Sequence, residues 1–106
     1  MSRAEREKGK RGEREVAKLL AAYGFEARRD GRLDDDLVHN VDGVHFEVKR
    51  RERIDIPRWF RETFDVAARY KKRPVVAFRS SRSPWLAVVE LEYLVELLAE
   101  RRDHGR

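Results

Sequence analysis

Asp34-Asp35-Asp36-Leu37-Val38-His39-Asn40-Val41-Asp42-Gly43-Val44-His45-Phe46-Glu47-Val48-Lys49-Arg50 is the stretch on which the reading of this chain turns. It reads as two short strands joined by a tight turn, with acids before the turn and Glu-Val-Lys after it. Asp42-Gly43 is a strong two-residue hairpin signal, because a type I′ turn needs φ > 0 at both central residues. In that register Val41 sits opposite Val44, Val38 opposite Glu47 and Asp36 opposite Lys49. Residues directly opposed share a face, as do residues two apart on one strand. Asp36, Glu47 and Lys49 then gather on one side, while Leu37, Phe46 and Val48 turn to the other. A loop longer by one residue would undo this grouping.

Two carboxylates and a lysine on one sheet face suit a divalent-metal site for phosphodiester hydrolysis. Oxygen ligands select Mg²⁺ or Mn²⁺ over softer metals. The ion offsets carboxylate repulsion, polarises the phosphate and lowers the pKa of a bound water, which the lysine can orient or deprotonate. The plainer reading is an exposed strand face with a cross-strand ion pair worth ~0.2–1 kcal/mol.

Outward from this stretch, the chain of 106 residues is long enough for one domain, 1–106, burying roughly 60–65% of its unfolded surface. A net charge of +5 and 42% charged residues favour a polyanionic partner. The absence of cysteine excludes disulfides, thiolate zinc sites and a cysteine nucleophile. No run approaches the ~20 apolar residues of a membrane span, and no signal-peptide core is present, so a soluble, cytoplasmic protein is expected. A single Asn, a single Met and no Gln lean towards a heat-adapted source.

Residues 2–10 alternate acids and bases and could begin a helix or stay a loose arm. Gly12 to Tyr23 is helical in pattern, with Val16, Ala17, Leu19, Leu20 and Tyr23 as its apolar stripe and Gly24 as C-cap. At 100° per residue Glu13 lies ~60° from Val16 and ~20° from Leu20, aimed at the buried side, whereas Glu15 should face water. A carboxylate aimed inward is costly unless paired, hydrogen-bonded or metal-bound, so Glu13 is a candidate site residue. The alternative is a cap or a pair with Arg14 or Lys10.

Phe25 to Arg29 reads as a first strand and Asp30-Gly31-Arg32 as a turn. Asp55 is a candidate N-cap with Pro57 in the first turn of a helix running to about Tyr70, which buries some of Trp59, Phe60, Thr63, Phe64, Ala67 and Ala68. Val75 to Phe78 and Trp85 to Val89 read as strands. Glu90 to Glu100 closes as an amphipathic helix with Leu91, Leu94, Val95 and Leu98 inward, followed by a frayed tail. His39 and His45 fall on different strand faces, and neither has metal-ligand spacing with another His.

This order, with an acid on the first helix, a second acid and then Glu-x-Lys, resembles the PD-(D/E)xK nuclease fold. Within it, the chain most resembles the archaeal-type Holliday junction resolvases, including relatives carried by phages of thermophiles. The resemblance rests on Lys8-Gly9, Glu13-Arg14, Val16 to Leu20 and Gly24-Phe25, then Asp36-Leu37-Val38 and Glu47-Val48-Lys49, then Phe64 to Arg79 and Trp85 to Val89. It implies an α/β fold, a central mixed five-stranded sheet flanked by helices in the order αβββαββα. It also implies that Asp36 and Glu47 ligate Mg²⁺ (Mn²⁺ may substitute) with the Val48 carbonyl, that Lys49 serves the attacking water, and that Glu13 contributes directly or through water. Arg14 would contact phosphate or hold the helix start. The implied activity is symmetric, metal-dependent nicking of four-way DNA junctions by a homodimer in recombination and repair, in the host cytoplasm if phage-encoded.

Two departures stand out. Asp35 replaces the usual Pro before the motif acid, and Asp30-Gly31-Arg32-Leu33 replaces a Ser-containing loop. Asp34 and Asp35 compete with Asp36 as ligand; Asp36 is preferred because it precedes the Leu-Val strand and shares the expected face of Glu47. Lys10, Arg11, Arg14, Arg29, Arg32, Arg50, Arg51 and Arg53 are the expected phosphate contacts, which position DNA without reading its sequence. Some of Trp59, Phe60, Phe64 and Trp85 are candidates for the two-fold interface, although helical spacing makes the aromatics of the second helix economical core residues. The rival readings are a nuclease of the same fold acting on flap, nicked or duplex DNA, and a module that holds branched DNA without cutting it.

Overall fold

The computed structural model describes residues 2–30 and 37–105. Helix α1 (Arg3–Ala22) is followed by β1 (Ala27–Arg29), β2 (Leu37–His39) and β3 (Val44–Arg50). Then come α2 (Ile56–Arg69), β4 (Arg73–Arg79), β5 (Leu86–Val88) and α3 (Leu91–His104). The expected order αβββαββα and the α/β class both hold. The charged N-terminal segment is helical after all, started by Ser2, whose side chain accepts from the Glu5 N–H. Gly24, at φ 93°, ends α1. The Gly24 N–H bonds the Ala21 carbonyl and the Phe25 N–H the Leu20 carbonyl, the paired bonds of a Schellman motif.

The strands form a mixed set split into two ladders, β1–β2 antiparallel and β3–β4–β5, in which β3 and β4 are parallel and β4 and β5 antiparallel. The expected β2–β3 hairpin register is therefore corrected. Gly43 has φ 71°, but Asp42 is not in the left-handed region, so the turn is not type I′. The Asn40 N–H and side-chain oxygen bond the backbone of Glu26, and the Val41 N–H goes to His39 Nδ1. Those groups are turned towards β1 and the loop. The Gly43 carbonyl meanwhile accepts from the Arg73 N–H, which starts the parallel ladder. The His39 and Phe46 rings, 4.9 Å apart and edge to face, join β2 to β3.

Register sets the faces of the central ladder. Glu47 pairs with Val76 and Lys49 with Phe78, so those four share one side. That side carries α2: Trp59, Val76 and Phe78 form the core cluster, with Ile56, Phe60 and Val88 packed around it. Asp55 caps α2 by accepting from the Arg58 N–H, with Pro57 in the first turn as expected. Trp59 is only 3% exposed and its ring lies 6.2 Å from that of Phe78. The opposite side of β3 meets α1 closely. A Cβ added to Gly12 would stand 3.0 Å from Arg50 Cβ, 3.3 Å from Trp85 Cη2 and 3.5 Å from Val48 Cγ1. The helix can come this near because Gly12 has no side chain.

Two further expectations are corrected. Glu15, expected in water, is half-buried against Arg50 and Arg79, because α1 lies over the strand ends where those side chains emerge. Leu91, Leu94, Val95 and Leu98, expected inward, are all exposed, and α3 buries none of its residues. The reason is Arg73, which bonds both carboxylate oxygens of Glu96, pairs with Glu90 and lies over the Tyr93 ring, so that the polar side of α3 faces the body.

Candidate functional site

On β3, alternation puts the Glu47 carboxylate and the Lys49 ammonium on one face, 3.6 Å apart. Both are partly covered, on the side of the ladder that carries α2, and β3 is an outer strand of that ladder. A carboxylate held beside an ammonium at a strand edge can bind a hard cation or a water and move a proton between them. Val48 lies on the other face, with its side chain against α1.

Glu13 comes from α1. It is 5% exposed, as its position on the helical wheel predicts, and accepts from Arg29 Nε of β1 at 3.0 Å. The Arg29 side chain is itself mostly covered. Charges this deeply enclosed are tolerated because they are paired. Arg29, expected as a phosphate contact, is thus engaged within the chain. Arg50 is similar: it is mostly covered and lies 3.4 Å from Glu15. Asp36, Arg32 and the competing Asp34 and Asp35 lie outside the described residues. Among the described residues no three His, Asp or Glu side chains gather closely enough to hold a metal.

Two groupings were not foreseen. Glu15 accepts from Arg79 Nη1 at 2.6 Å and from Trp85 Nε1 at 3.1 Å, and Arg79 stacks over the Trp85 ring. This cluster ties α1 to the carboxyl ends of β3 and β4, one residue beyond Lys49. Glu52 receives Lys8 Nζ at 2.9 Å and both the N–H and the hydroxyl of Ser81. The Ser81 hydroxyl bond is the main reason that the Glu52 carboxyl titrates far below its ordinary range, at about 2, with Lys8 adding to the effect. Asp30, the acid closing β1, is also buried. The available signal for it was an acid placed directly after Arg28-Arg29.

The remaining cations form a basic margin. Lys10, Arg11 and Arg14 stand on the outer side of α1. Arg51 reaches to 4.0 Å from the Cβ position of Gly9, and Arg51, Arg53 and Arg58 line a groove beside Trp59. His39 sits in a second groove with His45, Phe46 and Lys72. Burial, then the nearby charges of Lys72 and His45, hold it below the usual histidine value.

Of the four candidate interface residues, Trp59 is corrected: it is enclosed in the core and has no surface to offer a second copy. Phe60 packs on that core, and Trp85 is engaged by Glu15. Phe64 is 44% exposed.

Residues 4–105 match a family model described as "Phage putative PDDEXK endonuclease". No curated protein sequence matches. Among solved structures the chain is similar to Hjc of Archaeoglobus fulgidus, described as a Holliday junction resolvase from an archaeal hyperthermophile. The identity is 25% and the TM-score 0.57, over 77% of this chain and 72% of that one. The comparison bears out the nuclease resemblance and the restriction-endonuclease-like fold. No helix among the described residues is long and apolar enough to cross a membrane.

Proposed function

Because the chain belongs to the phage PDDEXK endonuclease family, we propose that it resolves Holliday junctions, nicking four-way DNA symmetrically as a metal-dependent homodimeric endodeoxyribonuclease. The observation that supports the nuclease chemistry is the Glu47–Lys49 pair on one face of β3. The choice of a four-way junction over other DNA is supported by the likeness to Hjc.

The donors available are hard carboxylate oxygens with no cysteine in the chain, which fits Mg²⁺, with Mn²⁺ as a substitute. Glu47 and Asp36, with the Val48 carbonyl, would hold the ion, and Glu13 would act directly or through a water. Once bound, the cation supplies charge for the phosphate and acidifies a water. The Lys49 ammonium orients the attacking water and offsets charge that grows on the phosphate oxygens. Glu15 holds Arg50, the next residue, and so fixes the end of the strand that presents Lys49. Lys10, Arg11, Arg14, Arg51 and Arg53, with Arg32, supply the phosphate contacts that place the junction. A two-fold dimer presents two such sites to the two equivalent strands.

Glu47→Gln and Asp36→Asn tests these roles. Both variants should lose cleavage of a synthetic junction in Mg²⁺ while still shifting it in a gel. Cleavage unchanged in both would remove those residues from the mechanism.

A further inference from the structure

Glu52 is the lone acid in the run Arg50-Arg51-Glu52-Arg53, and three donors converge on its carboxylate. They are Lys8 Nζ at 2.9 Å, the Ser81 N–H at 3.0 Å and the Ser81 hydroxyl. These groups come from separate parts of the chain. The Arg51 N–H still bonds the Arg79 carbonyl, so the segments leaving β3 and β4 run side by side and bring Glu52 to Ser81. Lys8 stands about one helical turn before Gly12, where α1 lies close against β3. The turn at 80–83 is closed by the Ser83 N–H on the Ser80 carbonyl, with Arg82 in the left-handed region at φ 63°. The Ser81 N–H takes no part in closing that turn and donates to Glu52 instead.

An ammonium, an amide N–H and a hydroxyl aimed at one point are the donors that bind a phosphate oxygen. Their present occupant is free to leave. The Glu52 side chain is 54% exposed, on a bend outside any helix or strand, where water and other anions compete for an ion pair. The position also suits a DNA strand. Glu52 follows Lys49 by three residues, at most ~11 Å of extended chain. Its neighbours Arg51 and Arg53 line the groove beside Trp59.

We propose that Lys8 and Ser81 form a phosphodiester-binding site, which the Glu52 carboxylate fills in the free protein and vacates when DNA binds. Glu52 keeps the donors gathered before DNA arrives and lowers the affinity for any phosphate that does not displace it. The choice of a DNA phosphodiester rests on the nuclease reading. The site itself is tested with inorganic phosphate, so the two fail separately.

Amide NMR of the full chain gives the first test. In Glu52→Ala, inorganic phosphate should move the Ser81 amide signal saturably. The concentration needed should be roughly tenfold below that for the wild type, because a tethered competitor acts at high effective concentration. A Ser81 amide that ignores phosphate in Glu52→Ala overturns the site, and an equal response in both proteins overturns the competition. The second test is binding of a labelled four-way junction without metal, so that nothing is cut. Ser81→Ala changes no charge and therefore isolates the short-range contact. In the Glu52→Ala background it should weaken binding about fivefold, the worth of one ordinary hydrogen bond. If Ser81 only clips Glu52 in place, the substitution is silent in that background, and the proposal falls. A chain whose Ser81 amide responds to phosphate but which cuts no junction in Mg²⁺ keeps the site and removes the nuclease reading.

Discussion

Gly12→Ala should destabilise the protein although alanine is the better helix former. In the interior of α1 the exchange alone is worth ~1 kcal/mol in alanine's favour. Against this, the new methyl would stand 3.0 Å from Arg50 Cβ and 3.3 Å from the rim of Trp85. A Cβ sits on the backbone and cannot swing aside, so α1 and β3 must part, and overpacking of this kind costs ~1–3 kcal/mol. Gly9→Ala is the control. Its nearest neighbour is Arg51 Nη1 at 4.0 Å, the far end of a flexible side chain. The propensity gain is common to both variants, so their difference isolates the clash, at ~1–3 kcal/mol with Gly12→Ala the weaker. Urea unfolding measures it directly, and in a thermal melt each kcal/mol should appear as a shift of ~4–8 °C. If Gly12→Ala is stabilised as much as Gly9→Ala, the close approach of α1 to β3 is wrong.

Two further predictions concern charge. Glu13→Gln leaves the covered Arg29 guanidinium without its counter-charge and should cost ~3–5 kcal/mol in urea unfolding. Adding Arg29→Met should recover most of that; no recovery would mean that Glu13 is held by something other than Arg29. Glu52 titrates at about 2, below its ordinary 4.5, because Ser81 and Lys8 favour the carboxylate. A depressed folded-state pKa gives stability that is complete above 4.5 and disappears as pH falls through about 2. Ser81→Ala should raise the Glu52 midpoint in a carboxyl NMR titration, and a midpoint left near 2 would show that Ser81 is not the main cause.

What the sequence made legible was local. The inward angle of Glu13, the Gly24 cap, the Asp55-Pro57 start of α2 and the strand alternation that pairs Glu47 with Lys49 all follow from periodicities of a few residues. What it hid was set at a distance. Asp42-Gly43 looked like a hairpin turn, but Asn40 bonds Glu26 and Gly43 bonds Arg73, so the chain spends those groups on β1 and β4. The direction in which α3 points was hidden for the same reason. Its stripe is clear in the sequence, but which side faces the body is decided by Arg73, some twenty residues earlier. Glu15 likewise found partners at Arg50, Arg79 and Trp85 that no local spacing could reveal.

Cleavage of branched DNA at the Glu47–Lys49 face is the activity we propose. Cleavage in Mg²⁺ of a synthetic four-way junction, beside matched linear duplex, flap and fork substrates with both nicks mapped, tests it most directly. Paired nicks placed symmetrically about the branch point are expected, with the linear duplex left largely intact. A preference for the linear duplex, or cutting of the junction at unrelated positions on its strands, would contradict it.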